Sequence, residues 1–251
     1  MQYSNPEMKS ILINNNEITN SDEEGISIDG AFASASSYSK WTSTLYTRAA
    51  DGKYCEAVYL NDECSSPSNH ENWYMLWISE DNLIGHFSKI ESVEFNDYHD
   101  KYKYSFVDSS RPIYDFVSSG QRVVILKLVP SDITISNNTV QDCGRDGIIL
   151  YGGGINVDIT GNTVDNCGID FEVSDPGIRI SYLYGGVPDG QYGPVFNNTV
   201  AFNNLIDCNL ILGSHDFGLC PDNSLRPYGN VKSNNNFYGS ATASWISQYG
   251  D

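Results

Sequence analysis

Ile133-Thr134-Ile135-Ser136-Asn137-Asn138-Thr139-Val140, followed by Gly147-Ile148-Ile149-Leu150, is a phrase that recurs along the chain at unequal intervals. Upstream stands Ile11-Leu12-Ile13-Asn14-Asn15-Asn16-Glu17-Ile18, then Gly25-Ile26-Ser27-Ile28, and nine residues separate Asn16 from Gly25 as they do Asn138 from Gly147. A third copy reads Val157-Asp158-Ile159-Thr160-Gly161-Asn162-Thr163-Val164, then Gly177-Ile178-Arg179-Ile180, with six extra residues in between. A weaker fourth aligns Asn204 of Asn203-Asn204-Leu205-Ile206-Asp207-Cys208 with these bends and continues into Asn209-Leu210-Ile211-Leu212. Val231 to Tyr238 begins a fifth.

Each copy is a short alternating strand, an Asn-rich bend, one inward aliphatic residue, a turn and a second alternating strand. Apolar residues nowhere persist at helical spacing, so amphipathic helices do not compete for these segments. Such units describe a solenoid in which each coil hydrogen-bonds to the next, with equivalent residues ~4.8 Å apart. Asn suits the bend because its short amide tolerates left-handed backbone and, when stacked, bonds to the Asn above and below.

The Asn-Asn-Thr-Val, Cys-Gly, Asp-Gly-Ile cadence at 137–150, echoed at 161–180, resembles the repeat of the pectin-lyase-like superfamily of polysaccharide lyases, glycoside hydrolases and phage tailspikes. That resemblance covers about residues 8–30 and 131–247 and implies an all-β chain, a right-handed parallel β-helix of about five coils. Left-handed β-helices and leucine-rich repeats need a stricter hexapeptide or Leu pattern that is missing. The resemblance specifies a scaffold rather than a reaction, since unrelated activities share it. Of the motifs that polygalacturonases of the superfamily carry, only Gly177-Ile178-Arg179-Ile180 matches, with Ser181 where their Lys stands.

The domain reading is a first coil over 1–30, a β-rich insertion over 31–129 and the remaining coils over 130–251. In the insertion, Tyr54–Leu60, Trp73–Ile78, Ser92–Phe95, Tyr102–Val107 and Val123–Val129 read as strands of a small antiparallel subdomain. Its aromatics suit a core better than a sugar platform.

The 251 residues carry 32 acidic against 14 basic side chains, a net charge of −18. That charge disfavours nucleic acid and anionic membranes as partners, and no stretch approaches the ~18 apolar residues of a membrane span. An even set of six cysteines, with glycosylation acceptor patterns at Asn137 and Asn197, points to an extracellular or cell-surface setting. No export signal is present at the start of the chain, so one would have been removed or lain upstream. Cys55 and Cys64 are close enough in sequence to bridge a loop. Cys143 and Cys167 each follow the aligned Asn by five residues and Cys208 follows Asn204 by four, which reads as a buried sulfur column.

After every Gly-apolar-X-apolar strand the chain makes its longest excursion, so one flank of the solenoid is elaborated and becomes the site candidate. Alternation points Ser27, Ile149, Arg179 and Ile211 outward in one row and Asp29, Tyr151, Ser181 and Gly213 in the next. Arg179, the one charge in its row, suits clamping a uronate carboxylate or sulfate, or stabilising an enolate; a surface ion pair with Asp175 is the plain alternative. Tyr151, Tyr182 and Tyr184 suit stacking on sugar rings. Asp170, Glu172 and Asp175 place three carboxylates in one coil: two at ~5–5.5 Å suit a retaining glycosidase and at ~6.5–9.5 Å an inverting one. The same groups suit Ca2+, although no cofactor is required, and solvated acidic decoration is the bland reading. His215-Asp216 adds a base candidate on the same flank.

These readings converge on a carbohydrate-active protein that hydrolyses or eliminatively cleaves a complex polysaccharide, a neutral glycan fitting the charge best. The competing class is a non-catalytic adhesin, tailspike fragment or filament subunit. Neither end carries an amphipathic capping helix, and an uncapped solenoid would stack end to end on another chain.

Overall fold

The structure is a computed structural model and describes residues 8–29, 41–48, 51–60, 69–77, 83, 85–126, 130–151, 153–168, 177–181, 183–184, 191–192, 195–212 and 229–245. The chain divides into two compact units, one over Glu7–Ala31 and Val129–Asp251, the other over Phe32–Leu128.

The first unit is built from three parallel sheets. One sheet runs, in spatial order, through Leu12–Asn14, Ser131–Ser136, Gly154–Thr160, Thr199–Ala201 and Val231–Ser233, with Val195–Phe196 alongside Gly154–Thr160. The second runs through Glu17–Thr19, Thr139–Gln141, Thr163–Asp165, Asn204–Ile206 and Asn236–Tyr238. The third runs through Ile26–Asp29, Ile148–Tyr151, Ile178–Ser181, Leu210–Leu212 and Ala243–Trp245. Spatial order follows chain order in all three, so each passage of chain lays one strand on each sheet before the next begins. Leu150 is in register with both Ile28 and Ile180, and Ile180 with Leu212. Ile26, Ile28, Ile148, Leu150, Ile178, Ile180 and Leu210 join Ile133, Ile135, Val157 and Ile159 in one core.

Between the first and second sheets the two Asn of each bend divide the work. The leading residue takes the left-handed conformation: Asn15, Asn137, Gly161, Phe202 and Asn234 all have φ between 54° and 67°. The following Asn turns inward and forms a ladder. Asn16 Nδ2 donates to Asn138 Oδ1 at 2.9 Å, Asn138 to Asn162 at 2.9 Å, Asn162 to Asn203 at 3.0 Å and Asn203 to Asn235 at 3.0 Å. Each accepting Oδ1 also takes the backbone N–H of the donor residue at 3.0 Å. A second rung pair, Asn198 to Asn230, repeats the pattern at 3.0 Å. Buried amides satisfied on both sides tie one passage to the next.

The ladder corrects the alignment of the fourth copy: its inward residue is Asn203, not Asn204. Cys208 therefore follows its Asn by the same five residues as Cys143 and Cys167. The three thiols are buried and free, and burial raises that of Cys208 to about 11. Cys55 is also a free buried thiol, donating to Ala57 O at 3.3 Å, so the bridge to Cys64 is not made.

The glycine that opens each of the first three third-sheet strands answers a close approach. A Cβ on Gly147 would lie 2.4 Å from Val164 Cγ1 and 2.7 Å from Gly177 O, and one on Gly25 would meet Val140 Cγ1 and Gly147 O at the same distances. The carbonyls of Gly147 and Gly177 accept from Ile26 N and Ile148 N at 2.8 Å.

The second unit is a closed antiparallel barrel of six described strands. Around the barrel they run Trp41–Arg48, Cys55–Leu60, Lys101–Phe106, Phe87–Asn96, Tyr74–Trp77 and Arg122–Leu126. The sequence reading lacks Trp41–Arg48, whose Thr and Ser content hides a strand that pairs on both sides and closes the barrel. Its core collects Val58, Leu60, Met75, Trp77, Ile90, Tyr104, Phe106, Val123 and Ile125. Two short 3-10 turns, Asp108–Ser110 and Tyr114–Phe116, interrupt the strands.

Candidate functional site

Three of the connections that follow third-sheet strands are long, from Asp29 to Ser131, from Ser181 to Val195 and from Leu212 to Val231, whereas two residues separate Tyr151 from Gly154. Register places Arg179 opposite Ile149 and Ile211, and Tyr151 opposite Asp29 and Ser181. Ile149 belongs to the outward row but is fully buried and lies outside the inner cluster, so this face is covered there rather than open to solvent.

Two side chains on this face reach back to the turn of the preceding passage. Arg179 Nε donates to Asp146 Oδ1 at 2.8 Å and its Nη2 to Oδ2 at 2.5 Å, a bidentate pair with a carboxylate that is wholly buried. Tyr151 donates its hydroxyl to Glu24 Oε1 at 2.9 Å, and Arg145 Nη1 approaches the same oxygen at 3.4 Å. Glu24 and Asp146 occupy equivalent positions, each directly before the glycine that opens a third-sheet strand. Stacked passages thus put an Arg–Asp pair and a Tyr–Glu pair in successive layers, roughly one strand spacing apart along the backbone.

The electrostatics bind the four together. Burial raises the Tyr151 phenol, and the hydrogen bond to Glu24 and the charges of Asp146 and Glu24 push it the same way, while Arg179 opposes them. Tyr151 therefore keeps its proton at neutral pH and remains a donor. Asp146 has both oxygens engaged by Arg179, which makes it an anchor that fixes the guanidinium plane rather than a proton carrier. Glu24, mostly buried, accepts from both Tyr151 and Arg145.

Of the residues marked from sequence, the structure brings Arg179 and Tyr151 onto one face and gives each a carboxylate partner. Asp29 and Tyr184 are described as backbone only: Asp29 ends a third-sheet strand and Tyr184 lies in the short Leu183–Tyr184 strand, antiparallel to Gln191–Tyr192. Asp170, Glu172, Asp175, Tyr182, His215 and Asp216 lie outside the described residues. Sequence reasoning missed Glu24 and Asp146. Their signal is an acidic residue before the strand-opening glycine in two aligned copies. No group of three or more His, Cys, Asp and Glu suited to a metal occurs among the described residues.

No family model and no curated protein sequence matches the chain. Among solved structures it is similar to the tailspike protein gp49 from Pseudomonas phage LKA1, with 12% identity and a TM-score of 0.24 over 95% of this chain. The chain spans 46% of the length of that protein. A likeness of this degree carries no argument about this chain.

Proposed function

We propose that the first unit is a right-handed parallel β-helix of five coils and that it binds and cuts a complex, uncharged extracellular polysaccharide in a loop-edged groove at the flank where its third-sheet strands end, beside Tyr151. Three sheets visited in turn support the coil count. Right-handed crossover is the rule for parallel strands joined by such connections. The cluster of Tyr151, Glu24, Arg179 and Asp146 is the observation that carries the functional reading. Tyr151 supplies a ring edge and a proton-bearing hydroxyl, Glu24 accepts from it, and Arg179, locked by Asp146, sets a rigid positive charge in the next layer. Such a couple suits proton transfer at a glycosidic oxygen. Asp29, Asp170, Glu172 and Asp175 are the candidates for a second carboxylate, and Ca2+ is a candidate ligand of the same group.

The test combines electrophoretic retention in gels cast with dextran, xylan or glucomannan with an assay for new reducing ends. Glu24→Gln and Tyr151→Phe are expected to keep retention and to slow product release by ~100-fold. Products formed at the parental rate by both variants would remove the cluster from the chemistry, and no retention of the parent protein would sink the reading.

A second reading, assembly by stacking, has its own observation. The described strands at one edge of the first and second sheets expose Val231, Phe237 and Tyr238, and Leu12 is exposed at the opposite edge. Concentration-dependent sedimentation abolished by Phe237→Lys would favour it.

A further inference from the structure

Building on assembly by stacking, we propose that the two ends of the first unit are partners for each other: a second copy of this chain docks head to tail and continues the Asn ladder from Asn235 of one copy into Asn16 of the next. Among the described residues, Leu12–Asn14, Glu17–Thr19 and Ile26–Asp29 pair on one side only, as do Val231–Ser233, Asn236–Tyr238 and Ala243–Trp245. Each parallel sheet therefore ends on one strand from the first passage and one from the last, and both ends offer backbone that can pair in the same parallel sense.

The ladder has a direction and is unfinished at both ends. In every interior step the backbone N–H and Nδ2 of one Asn donate to Oδ1 of the next. The receiving Asn returns its own Nδ2 to a carbonyl of the earlier passage: Asn138 to Ile13 O at 3.1 Å, Asn162 to Ile135 O at 2.9 Å, Asn203 to Ile159 O at 2.9 Å and Asn235 to Val200 O at 2.8 Å. At the last step Asn235 has received Asn203, but its backbone N–H and second Nδ2 hydrogen meet no acceptor among the described residues. At the first step Asn16 Oδ1 meets no donor among them. The groups left over at the two ends are the same donors and the same acceptor that each interior step joins.

The side-chain rows agree with that join. Leu12, Thr134, Asp158, Thr199 and Val231 are in register along the first sheet, and its two apolar members stand at the two ends, 66% and 50% exposed. In the second sheet Ile18, Val140, Val164, Leu205 and Phe237 form one row, whose middle three are wholly buried while Phe237 is 37% exposed. A docked copy sets Val231 over Leu12 and Phe237 over Ile18 in the register every passage already uses, which removes apolar surface from water. One row does not match: Ile13, Ile135, Ile159 and Val200 are followed by Lys232, which would face Ile13 of the next copy. A charge in the inward row of an edge strand opposes edge-to-edge association, and a net charge of −18 repels like copies. The joint is therefore weak and is promoted by salt. Because it is heterologous, copies add without closing and form an open filament.

The experiment uses the full chain at high protein concentration and high salt, with sedimentation velocity and oxidative cross-linking of cysteine variants beside the parent. Leu12→Cys and Val231→Cys, mixed under a mild oxidant, are expected to give a disulfide-linked dimer of the two variants, and far less product when either is incubated alone, since these positions meet only across the joint. Asn16→Ala removes the unfilled acceptor from an exposed position and is expected to weaken association about tenfold. Lys232→Val is expected to strengthen it by about as much. Circular dichroism confirms that each variant folds. Either cysteine variant linking to itself as readily as to the other, or association indifferent to Asn16→Ala and to Lys232→Val, overturns the head-to-tail register while assembly by stacking stands. A protein that stays monomeric at every concentration and salt, as parent and as Lys232→Val, overturns both.

Discussion

At the residue scale, Phe202 and His70 make the sharpest statements. Phe202 stands at the left-handed bend position that Asn15, Asn137, Gly161 and Asn234 occupy in the other copies, with φ 58° and its ring 61% exposed. A bulky residue there costs roughly 1–2 kcal/mol, so Phe202→Asn is expected to raise the melting temperature; a lower value would show that the ring makes a contact worth more than the strain. His70 is buried in the barrel unit, with Nδ1 against Tyr104 Oη at 3.3 Å, and burial lowers its pKa to about 4. His86 is lowered in the same way. Because the folded pKa lies below the unfolded one, the unfolded chain takes up protons first as pH falls. The stability these neutral imidazoles contribute is complete above about 6.5 and is lost progressively toward pH 4, by up to ~3 kcal/mol for His70. Calorimetry at pH 7, 5.5 and 4.5 is expected to show that loss, lessened in His70→Gln; a flat profile contradicts it. The Asn of the bends were legible in sequence because left-handed backbone and stacked amides both call for that side chain. The partner of Arg179 was not, because Asp146 lies 33 residues away and meets it through the stacking register alone.

At the element scale, the strand-opening glycines and the Asn ladder hold the parallel sheets together. The apolar alternation that lines up Ile28, Leu150, Ile180 and Leu212 could be read directly, since period-two burial leaves its mark in sequence. The reason for the glycine could not, because it depends on a carbonyl of the following passage, 2.7 Å from where a side chain would begin. Likewise Trp41–Arg48 carries too few aliphatic residues to announce a strand, and its pairing on both sides comes from barrel closure. Asn162 is the ladder's central, fully buried member: its amide donates to Asn203 Oδ1 and Ile135 O while its carbonyl oxygen accepts from Asn138. Asn162→Ala strands several buried groups at once and is expected to cost ~3 kcal/mol or more. Asn16→Ala, at the ladder's solvent-exposed start, is expected to cost far less. Equal costs in chemical denaturation would mean that the ladder is not what joins the passages.

At the scale of the whole molecule, two units carry separate cores, and the candidate surface lies at the third sheet with Tyr151, Glu24, Arg179 and Asp146. The sequence suggested it through Arg179 and Tyr151, because strand alternation assigns outward positions. Substrate and reaction are read from side chains at a site, and a scaffold reused for many chemistries does not supply them. The most direct measurement is a crystal structure of Glu24→Gln soaked with an oligosaccharide from whichever neutral polysaccharide retains the protein. A sugar ring in hydrogen-bonding reach of the Tyr151 hydroxyl and residue 24 is the expected result; a glycan bound only elsewhere, with that face empty, contradicts the assignment of the third sheet as the site of cleavage.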